Sequence, residues 1–390
     1  MGALTLTDLI PSIQKAMDTV SRESVGMIPA VARDSTAERA GLNDIVVSPV
    51  VGALAAENLV AANVAADTPA ETINNVQMTI SKSRSVPFGI TGEETKSLQN
   101  AGTLGTINQQ RLEQAMRTLT NEIEADLTAL HINASLAYGT ATGTPFGTAG
   151  DLTDFAESLR VLDENGAPIT GRKMVLGSTS MSRLRGKQST LFQANTGGAE
   201  ALNLLRNGII TRAEGFDLHN SQQINTLVAK GTGASATTNN AGYAIGATSI
   251  TLAAVGTGTI LAGDILTIVG DTNKYVVATG AGAVSGATIV LAEPGLKVAI
   301  AASTKAITLI AATTRNMFFH QSAIQLATRA PAMPEGGDSA DDILLQTDPV
   351  SGITYEIAVY RQKRQVRFEV NLAWGVKTIA PRHLGLLIGA

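Results

Sequence analysis

The chain has no cysteine, which excludes disulfides, thiolate metal sites and cysteine catalysis and fits a reducing cytoplasm. Charge is scarce as well. Ionisable side chains make up 16% of the 390 residues, against roughly 25% in typical soluble domains, so much of the surface is neutral and suited to burial against neighbours. No window reaches 18 apolar residues free of charge, and the N-terminus has no basic-then-apolar stretch, so neither a membrane span nor a signal peptide is expected. Leu6 stands where myristoylation needs Ser or Thr. The net charge of −4, with no polybasic tail, does not suggest tight nucleic-acid binding, although a protein that only encloses nucleic acid also has this balance.

Catalytic signatures are missing too. The four histidines, His131, His219, His320 and His383, contain no i, i+4 pair able to share a zinc on one helix face. No GxxxxGK[ST] loop occurs, since Gly186-Lys187 lacks the upstream glycine and the hydroxyl neighbour, and no GxSxG elbow occurs. The glycines at 256, 258, 280 and 282 lack a third glycine and a following helix, and they read as strand-connecting turns. Glu335, Asp338, Asp341 and Asp342 match no calcium-loop spacing and read as a solvated loop. Arg361, Lys363, Arg364 and Arg367 lack interleaved aromatics and read as a salt-bridge patch between subunits rather than a nucleic-acid site. Asn133-Ala134-Ser135 is a chance glycosylation triplet. No catalytic, cofactor-binding or metal-binding residue is assigned.

What is present begins with a composition shift. Residues 231–310 hold six ionisable side chains (Asp264, Asp271, Lys274, Glu293, Lys297, Lys305), leaving 62 − 6 = 56 for the other 310 residues. Short apolar runs at 249–255, 264–270, 274–280, 287–293, 298–302 and 306–312 are bounded by Gly, Asn, Asp or Pro. They predict about six short strands, hence a small β-barrel or sandwich inserted into a host fold. Gly246-Ala247-Thr248 recurs as Gly286-Ala287-Thr288, a sign of two similar halves.

Around that module the periodicities alternate. Leu6, Leu9, Ile10, Ile13, Met17 and Val20 predict an N-terminal helix capped at Thr7 or Asp8 and beginning near Pro11. Residues 46–75 carry three charges and two prolines and read as a long loop or hairpin arm. Val76, Met78 and Ile80, then Val86, Phe88 and Ile90, alternate as strands. The steps Leu112, Met116, Leu119, Ile123, Leu127, Leu130, Ala134 predict one long helix, with Glu122, Glu124 and Asp126 off its apolar stripe, stopped by Gly139. A helix at 151–163, a strand at 173–176, a helix from Ser178 and another at 199–206 follow, then strand pieces on either side of Gly215. After the module, Phe318 resumes a strand. Ile353, Tyr355, Ile357, Val359 and Val366, Phe368, Val370, Leu372, Trp374 form the clearest β-hairpin.

This order resembles the HK97-type major capsid proteins of tailed bacteriophages, above all short-tailed-phage coat proteins with an inserted β-barrel. VQMTISKSRSVPFGITGEE (76–94) looks like the strand leaving the extended loop, and 106–138 like the spine helix. AEALNLLRNGIITRAEGFDLHNSQQI (199–224) looks like the approach to the axial domain, and 348–389 like the closing strands of the peripheral domain. The resemblance implies an α+β fold divided into an N-terminal arm (1–45), extended loop and flanking strands (46–90), spine helix and peripheral domain (91–175), axial domain (176–225), inserted β-domain (226–312), axial return (313–345) and peripheral strands (346–390). It implies a non-enzymatic coat protein that assembles with itself, as hexamers and pentamers, in a bacterial cytoplasm into a virion shell enclosing double-stranded DNA with weak contact. A separate scaffolding protein and a portal are implied as partners, and no membrane or cofactor. No crosslinking lysine, asparagine or catalytic glutamate is identified. A cargo nanocompartment of the same fold and a surface-array or adhesin protein are the alternatives.

Overall fold

The computed structural model describes residues 6–21, 25–50, 74–187, 210–225 and 227–390. Helix α1 (Leu6–Ser21) buries Ile13, Met17 and Val20, and Pro11 lies inside it rather than at its start. Thr7 and Asp8 therefore lie within its first turn, after its start at Leu6. A one-turn helix α2 (Met27–Ala30) leads into β1 (Ala32–Ala40), and β2 (Ile45–Val50) pairs with β3 (Asn74–Thr79) as a two-stranded ribbon. The rest of the neutral segment, 51–73, and the helix expected at 199–206 lie outside the described residues. β4 (Lys82–Thr91) ends at Thr91, which caps a third helix, α3 (Gly92–Asn100), by a capping box with Glu94. Each side chain there accepts from the other residue's amide.

The long helix is α4 (Leu104–Ala129). It stops nine residues before the expected end at 138: Leu130–Asn133 tighten into a 3-10 turn, and Leu136–Gly139 form a strand, β5. Leu130 and Ala134 continue the apolar sequence although the backbone has left the helix. Gly139, at φ +106°, packs against the Ile388 carbonyl so closely that a Cβ would collide with it. Then come α5 (Thr153–Glu164), β6 (Arg172–Leu176), α6 (Ser178–Lys187), β7 (Arg212–Ala213) and β8 (Phe216–Asn220). The charge-poor region supplies β9 (Ser249–Thr251), β10 (Ile265–Ile268), β11 (Lys274–Thr279), β12 (Thr288–Leu291) and β13 (Ile307–Leu309). The fifth run, 298–302, adds only a bridge between Ile300 and Tyr243. Gly246 and Gly286 of the repeated triplet both take positive φ just before β9 and β12, which pair with each other. The chain closes with β14 (Thr314–His320), β15 (Ile324–Pro331), β16 (Asp342–Thr347), β17 (Thr354–Gln362), β18 (Gln365–Thr378) and β19 (Leu384–Gly389).

The result is an α+β fold on two main sheets. In the first, the 14-residue β18 is the seam. It pairs with β17 over 365–371, with β4 over 365–374 and with β15 over 373–378. The second sheet runs β5-β19-β14-β6-β8-β7 and continues into the charge-poor region where β11 meets β5 through Lys274↔Ala137 and Tyr275↔Leu136. The two ends of that region come together, since the Val228 amide donates to the Thr313 carbonyl at 3.0 Å. One core packs α1 and α4 on the first sheet around Met116, Ile123 and Trp374. A second joins host residues such as Phe155 and Phe216 to Ile250, Tyr275 and Leu291 of the inserted strands. The host and the inserted strands thus share one continuous apolar interior.

Candidate assembly surfaces

Glu124, expected on the solvated side of α4, is 2% exposed. Its carboxylate accepts from the Met27 and Ile28 amides at 2.8 and 2.7 Å and from the Ser221 hydroxyl at 2.8 Å. It satisfies the orphan amides at the start of α2 and ties the N-terminal segment, the long helix and the turn after β8 into one knot. Burial pushes its carboxyl above the usual range, against the lowering pull of these hydrogen bonds. Glu122 and Asp126 do face outward, and each holds Lys82 of β4, at 3.2 and 2.8 Å. The Trp374 indole donates to Asp126 at 2.9 Å. Arg111 donates to the Gly89 carbonyl at 3.0 Å. The long helix is therefore bolted to β4 and β18 along its outer edge.

Two surfaces stay open. The β2–β3 ribbon seats Val46 and Met78 over a small core with Ile80, Ala327 and Ala373. Its other face carries Ile45 and Val47, each about half exposed, beside Gln77 and Thr79. Helix α3 buries no residue at all. A helix this polar gains little packing energy within its own chain.

The acidic loop and the basic hairpin tip, separate in sequence, meet in space. The Tyr360 hydroxyl donates to Asp338, and Arg361 lies 3.4 Å from Asp341. Arg367 sits 2.7 Å from Glu369. Two of the four basic residues expected to form a patch between subunits are thus already paired within the chain. Lys363 and Arg364 remain exposed at the two-residue tip, Arg364 at φ +59°.

The four histidines are also partly regrouped. His320 and His383 face each other at the end of the β14–β19 ladder, ring centroids 6.4 Å apart. Burial lowers both, and the neighbouring Arg172 and Arg382 cations add to it. His131 and His219 stand apart from them, and burial lowers these as well. Among the described residues no three His, Asp or Glu side chains converge on a point that could hold a metal. No described helix is long and apolar enough to cross a membrane.

The described elements run in the order helix, two-stranded ribbon, strand, long helix, α/β region, charge-poor strands and terminal hairpin, and the long loop expected between the first helix and the strand at 82–91 lies largely outside the described residues. No family model matches the chain, and no curated protein matches it significantly. Among solved structures it is similar to the capsid of the cyanophage P-SCSP1u, at 11% identity and TM-score 0.45, covering 93% of this chain and 86% of that one. It is also similar to the mature capsid of bacteriophage PhiM1, at 8% identity and TM-score 0.45, covering 93% and 86%. A virus-like particle from Pyrococcus furiosus matches at 8% identity and TM-score 0.45, covering 97% and 99%.

Proposed function

We propose that this chain is a shell-forming subunit, a major capsid protein of HK97 type that assembles with itself into an icosahedral container for double-stranded DNA. The observation that carries this reading is the ribbon at Ile45–Val50 and Asn74–Thr79. One face is seated on the chain's own core, and the other offers Ile45 and Val47 to something outside it. An apolar, charge-poor ribbon has little reason to stay in water and good reason to lie on a second copy of the chain. Helix α3, which buries no residue, and the low overall charge support the same conclusion, because a subunit that tiles a shell buries several edges at once and sums individually weak contacts. In this reading 1–45 is the arm, 46–90 the extended loop with its strands, 91–175 and 346–390 the peripheral domain, 176–225 and 313–345 the axial domain, and 226–312 the inserted domain. The work of the protein is then geometric rather than catalytic, it proceeds in the bacterial cytoplasm, and scaffolding and portal proteins are the partners.

Coexpression with a scaffolding protein, followed by sedimentation and negative-stain imaging, tests the reading. Closed megadalton shells are expected. A chain that stays monomeric in every such condition overturns it. Shells that package protein and no nucleic acid, in cells where a terminase and portal are present, overturn the DNA assignment alone.

A further inference from the structure

The chain crosses directly from one main sheet to the other twice, from β14 to β15 and back from β18 to β19. Each crossover contains a one-turn 3-10 helix, Gln321–Ala323 in the first and Pro381–His383 in the second. Each also carries a histidine, His320 in the first and His383 in the second. Backbone bonds stitch the two crossovers together: the Ala323 carbonyl accepts from the Ile379 amide at 2.7 Å and from the Ala380 amide at 3.3 Å. Whatever fixes Ala323 therefore fixes the joint between the sheets.

His320 does so by capping the first turn. Its Nδ1 accepts from the Ser322 amide at 3.3 Å and lies 2.8 Å from the Ser322 hydroxyl. A backbone N–H only donates, so Nδ1 carries a lone pair and the ring proton sits on Nε2. That nitrogen faces the loop before β6, where a Cβ on Gly171 would stand 3.4 Å from it and the Thr170 backbone accepts from the ring. Both nitrogens of the neutral ring are thus in use. A second proton can go only to Nδ1, against the Ser322 amide, and the cap is then lost.

The surroundings oppose that charge. The His383 ring stands 6.4 Å away, centroid to centroid. Arg172, the ladder partner of His320 on β6, and Arg382 act on the pair as cations. Asp163 of α5 is already held by Arg172 at 2.6 Å. On the side of the first sheet, Arg33 of β1 reaches the Ser351 carbonyl and Lys377 of β18 the Gln77 carbonyl. Both histidines are partly exposed, so protons reach them, and in acid two imidazolium rings face each other across the joint.

We propose that the two crossovers form an acid-opened joint: neutral His320 locks the first turn to the second, and protonation of His320 and His383 releases the lock and frees the two sheets to turn against each other. The sign follows from the rings being held below their ordinary value of 6.5 in the closed joint. The open form takes up protons that the closed form refuses, so closure is full above 6.5 and weakens as pH falls below it. The joint is independent of the shell reading: a chain that assembles without this response leaves that reading standing.

Hydrogen exchange of the full chain tests the joint, read by mass spectrometry on fragments covering 320–326 and 376–384 and corrected for the intrinsic rate at each pH. From pH 7.5 to 5.5 protection in both fragments should fall by about a hundredfold, tenfold for each ring. The Ile80 amide, which donates to the Asp44 carbonyl, should keep its protection. His320→Asn, whose Oδ1 can cap the same turn without titrating, should reduce the loss to about tenfold or less, and so should His383→Asn. Should His320→Asn fail to fold, nitrogen-15 shifts of the wild-type imidazoles serve in its place, and His320 should carry its proton on Nε2 at pH 7.5. Protection that does not change with pH overturns the proposal, as does a loss shared equally by Ile80. A loss undiminished in either variant, or a His320 protonated on Nδ1 at pH 7.5, overturns it as well.

Discussion

The host fold and the β-rich region at 226–312 hold their distant segments together with different chemistry. In the host, several of the polar ties are ionic. Besides the Glu124 knot, Arg39 meets Glu356 at 2.5 Å, Arg172 meets Asp163 at 2.6 Å and Arg329 meets Asp34 at 3.0 Å. In the charge-poor region they are mostly hydroxyl and amide bonds. The Tyr243 hydroxyl donates to Asn239 Oδ1 at 2.7 Å and accepts from the Thr251 amide at 2.9 Å, and Thr251 meets Thr288 at 3.3 Å. Tyr275 bonds Asp271 and accepts from the Lys297 amide at 2.9 Å. Hydroxyls neither titrate in the physiological range nor respond to salt, whereas ion pairs do both. The response of the protein to pH and ionic strength should therefore be concentrated in the host.

The sharpest test of this division separates the two parts. The region carries its own buried set, including Ile250, Leu252, Ile268, Val277, Ile289 and Leu291, and its ends lie side by side. Expressed alone, 226–312 should give a β-type far-UV spectrum and a cooperative urea transition whose midpoint barely moves between 0.05 and 0.5 M salt. A disordered spectrum would mean that the cover lost at β5 and α5 is indispensable, and the two-part comparison fails at its root.

Removing one buried carboxylate from each part comes next in size. Glu124→Ala leaves the Met27 and Ile28 amides and the Ser221 hydroxyl buried without an acceptor, and should cost about 3–5 kcal/mol by urea unfolding. Asp264→Ala strands the Gly231 and Leu261 amides, and also deprives Arg315 of its nearest anion, so a loss of about 2–4 kcal/mol is expected. Because the sheet is continuous from β5 into β11, both variants should shift one shared transition. Two resolved transitions would show that the parts melt separately.

Glu124 also sets a pH signature. Its folded carboxyl is raised above the ordinary value of 4.5, so between 4.5 and the folded value the unfolded chain has lost a proton that the folded one keeps. Stability then falls as pH rises through that window and is level above it. Glu124→Gln, which keeps one acceptor oxygen, removes the slope. Wild type minus Glu124→Gln should decline from pH 4.5 upward and then flatten, and a difference that instead grows with pH contradicts the buried-carboxylate account.

These residues also show what a sequence can reveal. The α4 stripe was legible because Leu112 to Leu127 repeat at helical spacing and bury as that spacing demands. Glu124 was not, because periodicity treats any carboxylate as solvated, and its burial depends on amides 97 and 96 residues away. The helix end was misplaced since apolar steps at Leu130 and Ala134 persist after the backbone has changed. Helix α3 has no apolar face to read, and its one signal was the Thr91-to-Glu94 capping box. Arg315 and the His320–His383 pair come from strand register between distant segments, which no local pattern encodes.

The smallest effect sharpens the comparison furthest, because it isolates salt. Burial pulls the Lys82 ammonium down, but hydrogen bonds and charges from Asp126 and Glu122 outweigh it and hold it above its usual value. The pair is partly exposed, at 31% for Lys82, so Lys82→Met should cost only about 0.2–1 kcal/mol in low salt. That loss should vanish as the Debye length shrinks from about 10 Å at 0.1 M toward 3 Å at 1 M. Tyr243→Phe should cost about 1 kcal/mol through its lost hydroxyl bonds, and by the same amount at both salt concentrations. If the two variants respond alike to salt, the contrast between an ionic host and a hydroxyl-tied β-region is wrong, whatever their absolute stabilities.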